Sequence, residues 1–136
     1  MRILVDTSVW VEHLRRPETS LVELLGQDDV LIHPWVRGEL ALGSLQNRAD
    51  FLLMLSFLPS LTVEPDTKVF ELLEECQLFN QGIGWVDAQL LAACLARPCR
   101  LWTKDKRLAA LAAALRIGWE PNSPIRGNFS LPGDDQ

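Results

Sequence analysis

The sequence predicts an α/β fold, a three-layer α/β/α sandwich around a central parallel sheet of about four to five strands. Three observations carry that expectation. Short apolar runs such as Ile3-Leu4-Val5 and Val30-Leu31-Ile32 lack polar alternation, the pattern of strands buried on both faces. Segments with apolar residues at helical spacing alternate with these runs. The chain of 136 residues also suits one sizeable core, assigned here to residues 1–120.

The elements follow in order. Ile3 to Val5 forms the first strand, and Thr7 or Ser8 caps a helix through Val9, Trp10, Val11 and Leu14. Arg15-Arg16-Pro17 breaks that helix. A second, starting near Glu18 or Thr19, carries Leu21, Leu24 and Leu25 and stops at Gly26. Val30 to Ile32 is the second strand. Pro34 sets the first turn of a helix through Trp35, Val36, Glu39, Leu40 and Leu42. Asp50 to Leu58 follows as another helix, with Phe51, Leu52, Leu55 and Leu58 on one side. Leu61-Thr62-Val63 is a third strand candidate. Asp66 or Thr67 then caps a helix bearing Val69, Phe70, Leu72, Leu73, Cys76 and Leu78. After the flexible Gly82-Ile83-Gly84, an Ala/Leu-rich helix runs from about Val86 to Ala96 and ends before Pro98. Arg100 to Thr103 is a fourth strand, Lys106 to Leu115 a helix, and Ile117-Gly118-Trp119 a last short strand. Residues 121–136, dominated by Pro, Gly, Asn and Ser, form an irregular tail.

Composition narrows the function. The net charge of −5 argues against non-specific nucleic-acid binding over the whole surface. A local basic patch is compatible with it: Arg97, Arg100, Lys104, Lys106 and Arg107 fall close together around a single acid, Asp105. Cys76, Cys94 and Cys99 lack paired spacing, which speaks for thiols in a reducing compartment and against zinc or disulfides. No apolar run is long enough to span a bilayer and no signal peptide is seen, so a cytoplasmic protein is expected.

Most of the eighteen acids have ordinary explanations. Glu71, Glu74 and Glu75 share an outer helix face with Lys68, Asp66 caps, and Asp28, Asp29, Asp134 and Asp135 lie in turns or the tail. Four do not fit. Asp6 ends a buried strand, and Glu39 projects beside an apolar stripe between Trp35 and Leu42. Asp87 opens an apolar helix, and Asp105 follows the strand Leu101-Trp102-Thr103. Singly, Asp87 and Asp105 serve as well for N-caps, and Glu39 as a partner for Arg37 or another Arg. Jointly they matter, because a parallel layout puts Asp6, Asp87 and Asp105 on one edge, where open α/β sheets bind ligands. Crowded carboxylates repel one another and raise each other's pKa, a penalty that a hard divalent cation removes. Oxygen-only ligation selects Mg²⁺ or Mn²⁺ and suits phosphoryl chemistry. His13 and His33 are not placed for ligation and are taken as surface or loop-packing residues.

Ile3-Leu4-Val5-Asp6-Thr7-Ser8-Val9-Trp10, Glu39-Leu40, Asp87 at the head of an Ala/Leu helix, and Thr103-Lys104-Asp105 resemble the PIN domain in order and spacing. The likeness is greatest to the VapC toxins of VapBC toxin–antitoxin pairs and covers Met1 to about Trp119. The resemblance implies a metal-dependent endoribonuclease in which Asp6, Glu39, Asp87 and Asp105 surround one or two Mg²⁺ or Mn²⁺ ions. A water activated there would attack the RNA phosphodiester in line and leave a 5′-phosphate. Thr7, Ser8 and Thr103 would hydrogen-bond the carboxylates. Many members carry Asn where this chain has Ser8.

The resemblance further implies a homodimer and a VapB-like antitoxin that lays a helix in an apolar groove and blocks the acids, often with a basic side chain. Trp10 and Trp85 would either rim that groove or pack the core. Lys104, Lys106 and Arg107 are the expected contacts to RNA phosphates. Two other readings compete. In a receiver-like phosphotransfer domain Asp6 would be the phosphoacceptor and Lys104 its partner, which leaves Glu39 and Asp87 unexplained. An idle PIN scaffold would only bind RNA or protein.

Overall fold

The first apolar run becomes the middle strand of the sheet. In a computed structural model, which describes residues 1–121, β1 (Arg2–Val5) lies between β2 (Val30–Leu31) and β3 (Cys99–Trp102), all parallel. Leu4 pairs with Leu31 on one side and Leu101 on the other, and Val5 pairs with Trp102. Neighbouring strand residues face opposite sides. Ile3, Leu4 and Val5 are nonetheless all buried, so both faces of the sheet are covered.

Among the described residues the sheet holds three strands, fewer than the four to five expected. The segments at 61–63 and 117–119 reduce to isolated parallel bridges, Ile32–Ser60 on one edge and Leu101–Gly118 on the other. The first reduction has a visible cause. Leu61 N–H donates to the Ile32 carbonyl at 2.9 Å, but the chain beyond it bonds to side chains. Fully buried Gln89 accepts from Glu64 N–H at 3.2 Å and donates to its carbonyl at 2.7 Å. Arg97 pairs with the Glu64 carboxylate at 2.6 Å and donates to the Thr62 hydroxyl. A side chain thus takes the backbone groups that a further strand would offer its neighbour. Gln89→Leu removes both bonds and is expected to cost roughly 1–3 kcal/mol of stability. Urea unfolding checks this, and an unchanged midpoint would contradict it.

The helices are α1 (Thr7–Arg15), α2 (Thr19–Gly26), α3 (Pro34–Leu42), α4 (Arg48–Ser56), α5 (Asp66–Glu75), α6 (Trp85–Ala96) and α7 (Lys106–Ala114). Caps differ from expectation at two of them. Asp6, not Thr7 or Ser8, occupies the cap position of α1, and Pro65 that of α5, which leaves Asp66 in the first turn. An acid there still favours the helix through its dipole. α6 is buried from Ala88 to Cys94 and packs on β3, making it the central helix. Trp10, Trp102, Leu90, Leu91 and Leu108 fill the core, and Trp119 meets Trp102 edge-on at 5.0 Å. All three cysteines are free, and Cys94 and Cys99 are buried. The expected irregular tail lies, from residue 122 on, outside the described residues. No described helix is long and apolar enough to cross a membrane.

Candidate active site

Parallel pairing of β1 with β3 brings Asp6 and Thr103, the residues just after each strand, to the same edge. The ladder's last bond, Asp6 N–H to the Trp102 carbonyl at 2.9 Å, fixes their relative height. Asp6 sits at the cap position of α1 and makes no side-chain cap bond. Its Oδ2 instead accepts from Ser8 Oγ and from Thr103 Oγ1, each at 2.7 Å. Ser8 Oγ in turn accepts from Lys104 N–H at 3.0 Å, and Thr103 Oγ1 from Asp105 N–H at 3.1 Å. Asp6 is 7 % exposed, and this small network is what compensates its burial.

The other three acids are held in comparable ways. Thr7 Oγ1 donates to Glu39 Oε1 at 2.6 Å, tying α3 to the start of α1. Asp87, in the first turn of α6, accepts from Gly84 N–H at 3.1 Å. Asp105 caps α7, its Oδ1 accepting from Arg107 and Leu108 N–H at 2.9 and 3.0 Å. Asp105 is therefore an N-cap as well as a candidate ligand, whereas the cap position of α6 belongs to Gly84 rather than Asp87. The hydroxyls expected to orient acids, on Thr7, Ser8 and Thr103, all do so.

Electrostatics link the four. The Asp87 carboxyl is pushed above the ordinary carboxylate value of 3.8, first by burial and then by the charges of Asp6, Asp105 and Glu39, against the Gly84 hydrogen bond that lowers it. Sequence-distant acids thus act on one another at one sheet edge. They do not form a closed cage: among the described residues no three His, Cys, Asp or Glu side chains are grouped to hold an ion as they stand. Uncompensated carboxylates repel, and each here leans on its own protein partner.

The donor chemistry nonetheless fits a hard cation. Each of the four acids uses one oxygen in the hydrogen bonds above, and among the described residues the other oxygen of each has no partner. Four free carboxylate oxygens without sulfur or imidazole are a set suited to Mg²⁺ or Mn²⁺. A groove of about 780 Å³ between α7 and the Leu101–Gly118 bridge contains none of the four acids, although Thr103 and Lys106 are among its lining residues.

The remaining expectations divide. Trp10 is fully buried against Phe51 and belongs to the core, whereas Trp85 is exposed. His13 Nδ1 accepts from Glu18 N–H, just before α2, and His33 Nδ1 accepts from Trp35 N–H, capping α3, each at 3.0 Å. His33 is buried rather than superficial, and burial lowers its pKa, consistent with a neutral acceptor. The basic cluster splits: Arg97 is engaged by Glu64, Arg100 donates to the Gly118 carbonyl, and the Lys104 ammonium pairs with Glu18 at 2.7 Å. Arg107 lies over Gly82, where an added Cβ would meet its Cδ and Nη1 at 2.7 Å. Gly82 also has φ +79°, so both the backbone and the space above it call for glycine. Sequence reading missed Gln89, for which a lone Gln inside an apolar helix run was the available signal.

Comparison with known proteins identifies the family. Residues 3–114 match the PIN domain family. Ribonuclease VapC32 of Mycobacterium tuberculosis, in strains CDC 1551 and H37Rv alike, is 48% identical over 112 residues, which span 82% of this chain and 90% of that protein. The match contains the strand-end acids, the helix opened by Asp87 and the cap at Asp105. This chain therefore belongs to the PIN domain family, as a VapC-like member of it.

Proposed function

We propose that this protein is the toxin of a VapBC-type pair, an endoribonuclease in which Asp6, Glu39, Asp87 and Asp105 hold Mg²⁺ or Mn²⁺. The observation that carries the reading is the set of sequence-distant acids meeting at one sheet edge, each with one oxygen fixed and the other free. When bound, the cation supplies positive charge to the acids and the phosphodiester and lowers the pKa of water. The protein's own part is positioning. Ser8 and Thr103 hold the Asp6 carboxylate by Oδ2, Thr7 holds Glu39, and the first turn of α7 holds Asp105. Such fixed partners set the direction of each free oxygen before substrate arrives. In this reading Lys106 and Arg107, which follow Asp105 in the first turn of α7, take RNA phosphates, joined by Lys104 when it leaves its pair with Glu18.

A VapB-like antitoxin and a homodimer belong to the same proposal. Val11 and Leu14 on α1, Val22 on α2, and Leu53 on α4 are exposed, more large apolar side chains than solvent-facing helices need. A helical partner would cover such side chains. The expected place of action is the cytoplasm, where RNA and a newly made antitoxin meet. Sequencing of RNA 5′ ends after brief induction tests the reading. New 5′-phosphate ends should appear with the wild-type chain and be missing with Asp6→Ala; identical ends in both would overturn it.

A further inference from the structure

We propose that Trp85 and Phe70 form a stacking platform for one unpaired RNA base at the head of α6, two residues from Asp87, an inference that rests on the ribonuclease reading above. Trp85 opens α6 two residues before Asp87 and is 36% exposed; Phe70, on α5, is 58% exposed. Their ring centroids lie 5.1 Å apart with the planes tilted by 46°. Val69, Ala88 and Ala92 form a small core of their own with Leu72 and Leu73, locking α5, which carries Phe70, against α6, which carries Trp85. The rings therefore ride on two packed helices and lose little freedom when something binds them. Neither ring belongs to the buried clusters of the core.

Charge favours a base as the occupant. The acids around Asp87 repel phosphates, and the chain carries a net charge of −5, so backbone contacts alone grip a polyanion poorly at this point. A neutral base face stacked on an aromatic ring escapes that repulsion and is tolerant of sequence. The base must be unpaired, because a duplex keeps its base faces stacked on one another. Arg107 completes the arrangement. Its side chain covers Gly82, at the start of the same short connection that leads into Trp85 and Asp87. The two ends of this connection thus offer a guanidinium for a phosphate and an aromatic face for a base, with Asp87 on the adjoining turn.

The test uses the full chain carrying Asp6→Ala, so that RNA stays intact, with short single-stranded RNAs bearing 2-aminopurine at one position each. One position should lose fluorescence on binding. That quenching should vanish with Trp85→Ala, persist largely with Trp85→Phe, and weaken with Phe70→Leu, which keeps apolar bulk without an aromatic face. RNA affinity should fall about tenfold in Trp85→Ala. No position-specific quenching, or equal quenching in Trp85→Ala, overturns the platform. An altered oligomeric state in Trp85→Ala with quenching retained assigns the rings to a protein contact and overturns it as well. This readout does not require cleavage, so failure of the ribonuclease reading shows separately, as a chain with Asp6 intact that leaves RNA whole.

Discussion

Asp6→Asn is expected to end RNA cleavage while leaving the fold in place. The amide keeps the size of the side chain and one oxygen able to accept from Ser8 Oγ and Thr103 Oγ1. What it loses is the negative charge at the sheet edge. Removing a group that merely orients a metal ligand costs about 10–100-fold in metal affinity or activity. Removing a ligand's charge should cost more, so kcat/KM should fall by at least about 100-fold, with circular dichroism unchanged. Thr103→Val supplies the graded comparison: it takes one of two hydroxyls from Asp6 Oδ2 and should land inside the 10–100-fold range. A cleavage rate in Asp6→Asn within a few-fold of wild type would remove Asp6 from the chemistry.

The second large effect runs the other way, toward stability. Asp87 is raised above the ordinary carboxylate value by burial and by Asp6, Asp105 and Glu39. Between the ordinary value and the raised one, the folded chain binds more protons than the unfolded chain. Its stability therefore falls as pH rises through that window, and above it the full penalty of an ionised Asp87 is present. Asp87→Asn keeps an oxygen for Gly84 N–H and carries no charge. In metal-free buffer at neutral pH the variant should melt at a higher temperature than wild type, while losing RNA cleavage. The gap should close on acidification, as the wild-type carboxyl takes up its proton. Thermal melts of both chains across a pH series check this, and a variant less stable than wild type at neutral pH would refute it. A site held together against its own repulsion is a common form of the trade between stability and activity.

Much of this was legible in the residues. The run Ile3-Leu4-Val5 announced a strand buried on both faces, and the carboxylate just after it marked the edge where chemistry gathers. Parallel pairing then makes convergence of Asp6 and Thr103 a matter of register, as Val5 opposite Trp102 shows. Helix limits followed from Pro34, which opens α3 with its fixed φ, and from Gly26, the last residue of α2. What stayed hidden depended on long-range partners. Leu61-Thr62-Val63 has strand composition, but Gln89 from α6 and Arg97 claim the chain that follows. The five basic residues look like one patch in sequence, whereas Glu18 and Glu64, far along the chain, draw Lys104 and Arg97 apart. Trp10 and Trp85 are equivalent by composition, and only packing separates the core ring from the exposed one.

Calorimetric titration of Mn²⁺ into the wild-type chain and into Asp6→Asn, without RNA, tests the central claim most directly. The four free carboxylate oxygens predict saturable binding to wild type. Affinity in Asp6→Asn should be at least about tenfold weaker. Equal Mn²⁺ affinity in the two chains, or no saturable binding to wild type, would contradict the assignment of these acids to a metal centre.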